Sequence, residues 1–251
     1  MGYAAWRIAT ILRDEGGIPA LLRKCARLPL NVILGMFYAV RMRSLVADSD
    51  LQALVDRVYT GFGGLMRPLQ VRSELAAFIA LVADRRPSAI LEIGTATGGT
   101  FFLLARAARE DACLISIDLP CGSFGGGYPG WRAPLYRSFA LHNQKIALIR
   151  ADSHSADTFS RVTEVLGTSP LEVLYIDGDH TYAGVKKDFE MYAPLVQKGG
   201  LIIFHDIARN PPEPGCDVFT FWEEVKKRYA HREIVEDKDQ VGKGIGVLFV
   251  D

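Results

Sequence analysis

The stretch that decides the fold is Ala89-Ile90-Leu91-Glu92-Ile93-Gly94-Thr95-Ala96-Thr97-Gly98-Gly99-Thr100. Its first five residues form an almost continuous apolar run, the pattern of a strand buried on both faces. Gly94, Ala96, Gly98 and Gly99 then supply the small residues of a tight turn, and Thr100 to Ala108 has helical spacing. A strand that feeds a helix through such a turn presents free N–H groups and lets a ligand approach the backbone closely. A pyrophosphate-binding turn would read Gly-x-Gly-x-x-Gly. Here Ala96 replaces the second glycine and the later spacing differs, and the Gly-Lys-Ser/Thr of a P-loop is absent. Glu92 would repel a pyrophosphate; it suits an ammonium group.

Outward from this stretch the chain alternates. Ser73 to Val82 reads as a helix with Ser73 as its N-cap. Strands are predicted at 113–117, 146–149, 173–176 and 201–204, with helices around 162–166, 185–195 and 219–229. Late strands are predicted at 233–235 and 246–250. Apolar strands alternating with helices indicate an α/β, doubly wound, mostly parallel sheet covered on both faces. Ligands of such sheets bind outside the carboxyl ends of the strands. Five successive strands end there in polar groups: Glu92 with Gly94, then Asp118, Asp152, Asp177, and the pair His205-Asp206. One acid after a strand is an ordinary turn or cap residue; five in order mark a site.

The 251 residues suffice for one large domain, or one domain with an appendage, and 49% hydrophobic residues supply a sizeable core. Lys+Arg and Asp+Glu both number 29, so no basic excess favours nucleic acid as a partner. Cys25, Cys113, Cys121 and Cys216 are scattered without a Cys-x-x-Cys pair, which argues against a disulfide framework or zinc cluster and for a reduced, cytoplasmic protein.

Residues 1–70 differ from residues 71–251. The first 45 hold seven basic residues against Asp14 and Glu15. Ile8, Ile11 and Leu12 recur at helical spacing before a break at Gly16-Gly17, and two further short helices are predicted on either side of Pro29. The longest uncharged run there, Leu28 to Val40, is too short to span a bilayer, and the preceding acids fit a secretory signal poorly. Two expectations compete for this segment: a helical cap or homodimer surface, and an in-plane contact that holds the protein at the inner membrane face.

The motif Glu92-x-Gly94-x-Ala96-x-Gly98 resembles motif I of the class I S-adenosylmethionine (SAM) dependent methyltransferases, with Ala96 in place of the usual middle glycine. The resemblance covers roughly residues 70–251. It implies a Rossmann-like, seven-stranded sheet with an antiparallel last strand, here preceded by an N-terminal helical segment. It also implies SAM contacts by Glu92, Gly94, Thr95, Ala96 and Gly98. Asp118, beside Leu119, takes the place of the ribose-binding acid, Asp152-Ser153 that of the adenine contact, and Asp177 lies against the cofactor. The segments Tyr175–Tyr182 and Gly199–Asp206 are similar to small-molecule and sugar O-methyltransferases related to cephalosporin hydroxylase-like proteins. By that resemblance Asp177, His205 and Asp206 would hold Mg²⁺, although a histidine is atypical for this ion.

Methyl transfer from a sulfonium is an in-line displacement, and a hydroxyl acceptor must lose a proton. His180 and His205 stand where a base is useful, next to Asp177 and Asp206. Gly122–Gly130 and Ala208–Val218 are candidate lid loops. The expectation is O-methylation of a small molecule, sugar or glycolipid. The rival readings are hydroxylase-like chemistry and a non-catalytic scaffold docked through its basic helices.

Overall fold

The computed structural model describes residues 8–9, 17–46, 50–124, 127–141, 143–209 and 215–251. Ile11, Leu12, Gly16, His142 and the centres of both expected lid loops lie outside the described residues. Seven strands form one sheet: β1 (Ala89–Ile93), β2 (Cys113–Ile117), β3 (Lys145–Ile149), β4 (Leu171–Ile176), β5 (Val196–His205), β6 (Ala230–Ile234) and β7 (Ile245–Phe249). Their order is β3-β2-β1-β4-β5-β7-β6. The first five run parallel, and β7 runs antiparallel to both its neighbours. This is the Rossmann-like architecture expected, with the strand order reversing between β1 and β4.

Alternation along each strand splits the core in two. Ile90, Leu114, Val173, Tyr175, Leu201 and Val247 face one side. There they meet α2 (Leu51–Thr60), α3 (Arg72–Ala83) and α4 (Gly99–Ala107), which contribute Val58, Phe78 and Phe102. Leu91, Ile115, Leu174, Ile202 and Leu248 face the other side. Their partners are α6 (Ala156–Leu166), α7 (Tyr182–Tyr192) and α8 (Val218–Val225), through Val162, Phe189 and Trp222. Both faces of the sheet are therefore dry, which is why its strands read as unbroken apolar runs.

Upstream, α1 (Gly17–Val46) is one helix of 30 residues that passes through Pro29. The two short helices expected on either side of Pro29 are thus joined. Proline removes one backbone hydrogen bond and crowds the preceding turn, but the helix-forming run Ala26-Arg27-Leu28 before it and Leu30 after it carry the helix across. The second half of α1 packs Leu34, Tyr38 and Met42 against the core near Phe62. A five-residue helix, α5 (Ala133–Arg137), lies beneath it.

Two local expectations are corrected. The helix α3 begins at Arg72 with Val71 in the cap position, and the Ser73 hydroxyl donates instead to Glu236 Oε1 at 2.8 Å. The edge strand β6 starts three residues before the predicted 233, because its exposed, polar Ala230-His231-Arg232 hides a strand that only pairing to β7 reveals.

The tightest constraint lies where β1 ends. Gly94 has φ +93°, and a Cβ there would lie 1.9 Å from the Asp177 carbonyl oxygen. Gly94→Ala should destabilise the protein by more than ~2 kcal/mol, from left-handed strain plus a backbone clash that cannot rotate away. Chemical denaturation measures this; a loss within error of zero would contradict the close approach.

Candidate active site

The parallel register sets the site. Glu92 pairs with Ser116 of β2 on one side and Tyr175 of β4 on the other. Consequently Glu92, Asp118 and Asp177 gather at the carboxyl edge of three adjacent strands, around the point where the strand order reverses. Glu92 is wholly buried, and among the described residues neither carboxylate oxygen has a hydrogen-bond partner of good geometry. Burial pushes its pKa well above the carboxylate range, helped by the Asp177 and Asp118 charges and opposed by the neighbouring Thr95 hydroxyl. A buried acid left unpaired is costly, and a cationic ligand group would satisfy it. That fits the ammonium of the SAM methionyl portion.

The turn after Glu92 is held open by backbone geometry. Gly94, Ala96 and Gly98 all have positive φ, and at Gly98 a side chain would strike the Tyr136 ring. Ala96, at φ +43°, adopts the left-handed conformation that a glycine would take more easily. Its N–H donates to Asp118 Oδ2 at 2.8 Å, and its carbonyl accepts from the Tyr136 hydroxyl at 2.7 Å. Thr95 Oγ1 lies 2.6 Å from Ser116 Oγ. Asp118 also accepts from the Tyr128 N–H at 3.2 Å. Burial raises its pKa to about 6, against these hydrogen bonds, which lower it. Leu119 stands half-exposed beside it.

Asp152 sits further out, its carboxylate accepting from the His154 N–H at 2.9 Å, while Ser153 is buried and its carbonyl accepts from the Tyr192 hydroxyl. His154 Nε2 lies 3.2 Å from Oδ1 of Asp188, a buried acid of α7.

Between β4 and β5, two carboxylates embrace two imidazoles. His205 Nδ1 lies 3.1 Å from Asp177 Oδ1 and 3.2 Å from Asp206 Oδ2. His180 spans the same pair, with Nε2 3.4 Å from Asp177 Oδ1 and Nδ1 3.5 Å from Asp206 Oδ2. Burial alone would depress the His205 pKa, but Asp177 and Asp206 outweigh it and raise the value to about 9. Burial likewise favours protonation of Asp177 and Asp206, yet the imidazoles win and hold both below the usual range. The two carboxylates thus favour the protonated form of His205, while its Nε2 is buried without a hydrogen-bond partner among the described residues.

This arrangement does not fit Mg²⁺. The three nearest donors are two oxygens and a nitrogen, and the nitrogen carries the proton both carboxylates accept. Mg²⁺ wants an octahedron of oxygens. Cys216 Sγ, whose donor atom lies within 4.8 Å of those of His180 and Asp206, is no better suited. The proton on His205 puts positive charge where the resemblance placed the ion.

The sequence reading missed several contributors. Gln70 Nε2 donates to Asp177 Oδ2 at 3.1 Å and to the Tyr175 hydroxyl at 3.0 Å, and Thr100 Oγ1 donates to Gln70 Oε1 at 3.0 Å. Gln70 thus orients the acid from outside the α/β repeat, where no motif flagged it. Phe124, in the first expected lid, stacks on His180 with ring centres 4.7 Å apart. Arg132 Nη1 donates to the Thr97 carbonyl at 3.3 Å and to the Leu65 carbonyl at 2.7 Å, tying the end of that segment to the turn after Glu92.

Comparison with known proteins agrees with this geometry. The O-methyltransferase TomG from Streptomyces achromogenes, solved with SAM, superposes with a TM-score of 0.54 at 19% identity, covering 84% of this chain and 95% of that one. The O-methyltransferase from Bacillus cereus, solved with SAH, gives 0.56 at 18% identity, covering 82% and 94%. These likenesses establish the fold. Among curated proteins, the uncharacterized protein y4gI of Sinorhizobium fredii is 30% identical over 148 residues, 58% of this chain and 16% of that protein. An uncharacterized protein of Acanthamoeba polyphaga mimivirus is 33% identical over 118 residues, 46% of this chain and 50% of that protein. The matched stretch thus spans half or less of these curated relatives. The family model described as a methyltransferase domain matches from Leu91 to Ile207, the interval that contains Glu92, Asp118, Asp177, His180, His205 and Asp206.

Proposed function

We propose that the protein is a SAM-dependent O-methyltransferase acting on a hydroxyl of a small molecule, sugar or glycolipid. The observation that carries this reading is the buried, unpaired Glu92 carboxylate beside a left-handed small-residue turn. Glu92 would take the methionyl ammonium, the Gly94–Gly98 turn would lie along the methionyl chain, and Asp118 would accept from the ribose hydroxyls. Asp152 and Ser153 would flank the adenine. Bound SAM supplies a methyl group already activated by its sulfonium charge.

The residues between β4 and β5 handle the acceptor. His205 is buried between Asp177 and Asp206, which favour its protonated form, so it is read as a positioning residue. His180 remains as the base. Its side chain is 14% exposed against 3% for His205, and its ring is braced by Phe124. It would accept the hydroxyl proton while Asp177 and Asp206 stabilise the imidazolium that forms. Phe124 and Tyr128, from the segment across the site, would exclude water during transfer. No step passes through a metal.

Two outcomes follow. The ribose hydroxyls donate more strongly to Asp118 when it is ionised, so SAM affinity should hold above about pH 6 and weaken as pH falls below it. Titration calorimetry across pH 5 to 8 checks this; a flat profile would contradict the role of Asp118. In mass spectrometry of a panel of hydroxylated acceptors, product should carry one added methyl. His180→Ala should cut turnover at least ~100-fold while SAM affinity stays within about twofold. Full turnover in that variant would remove His180 as the base, and products carrying an added oxygen would favour the hydroxylase-like reading.

A further inference from the structure

The helix α1 has two apolar faces, and only one is used. Leu34, Gly35, Tyr38 and Met42 face the domain, and Gly35 sits directly against the Trp131 ring. On the opposite side Ile18, Leu22, Ile33, Met36 and Val40 are 62–86% exposed. Their spacing, with Pro29 between Leu22 and Ile33, follows the helical repeat and draws one stripe about 33 Å long. Phe37 and Leu30 widen it and are also exposed. The charge of the helix is one-sided: its 30 residues contain five cations, Arg23, Lys24, Arg27, Arg41 and Arg43, and no acid. No helix among the described residues is long and apolar enough to cross a membrane.

We propose that α1 is an in-plane anchor that lays this stripe into the surface of an anionic lipid bilayer. Apolar side chains enter the boundary between headgroups and acyl chains, and the cations find lipid phosphates. Charge selects this occupant over a second copy of the chain. A second α1 would add five more cations and no acid of its own. An anionic surface attracts that charge instead. The underside of α1 meets Trp131, whose neighbour Arg132 holds the Thr97 carbonyl, so docking would set the site close to the bilayer. This inference stands on α1 alone and is independent of the reaction proposed above.

The test is co-sedimentation of the full chain with phosphatidylcholine vesicles, with and without phosphatidylglycerol. The protein should pellet with the anionic vesicles, stay in solution with the neutral ones, and be released as salt screens the attraction. The double variant Ile33→Glu, Met36→Glu changes only exposed positions, and it should bind at least ~10-fold more weakly. Arg23→Glu with Arg27→Glu should do the same, with circular dichroism unchanged in both. Wild-type protein left in solution with anionic vesicles would overturn the proposal. Equal pelleting of wild type and variants would also overturn it, as would a salt-insensitive pellet. A wild-type dimer that Ile33→Glu, Met36→Glu splits to monomers, without vesicle binding, would assign the stripe to self-association instead. The salt response of wild type decides the matter even if a variant fails to fold.

Discussion

The parallel pairing of β1 with both β2 and β4 is the constraint on which the rest depends. It puts Glu92 in register with Ser116 and Tyr175 and brings three strand ends together. The Gly94 turn can then press against the Asp177 backbone with no room for a side chain. Everything the site does electrostatically follows from that convergence. The Asp118 and Asp177 carboxylates sit close enough to raise the cost of ionising Glu92. The structure meets that cost differently at each. Burial holds Glu92 back from ionising, Asp118 leans on backbone N–H groups, and Asp177 pairs with imidazoles.

The outcome is a site with two electrostatic halves. Around Glu92 and Asp118 the charge is unspent and suits a ligand that brings a cation and hydroxyl donors. Around Asp177 and Asp206 the charge is already answered by the His205 imidazolium. A divalent ion there would have to displace that proton and accept a nitrogen ligand.

Much of this was legible in the sequence because it is written in short-range patterns. Apolar runs ending in Glu92-x-Gly94, Asp118, Asp177 and His205-Asp206 mark strands and their polar ends without knowledge of the fold. The unseen parts depend on contacts distant in sequence. Gln70 reaches Asp177 across 107 residues, and Phe124 reaches His180 across a loop. The state of His205 was equally hidden, since it depends on two carboxylates converging on one nitrogen. In α1, Pro29 suggested a break because local propensity was read without the helix formers on either side. The exposed β6 carried no apolar alternation to betray it, as edge strands often do not.

The central claim is that an unpaired Glu92 awaits the cationic end of SAM. The most direct measurement is titration calorimetry of SAM, with NAD as control, into wild type and Glu92→Gln. Glutamine reproduces the shape of the protonated acid but cannot ionise. The account predicts SAM binding without NAD binding, proton release on binding, and at least ~10-fold weaker SAM affinity in a folded Glu92→Gln protein. Equal SAM affinity in the two proteins, or no SAM binding by wild type, would contradict it.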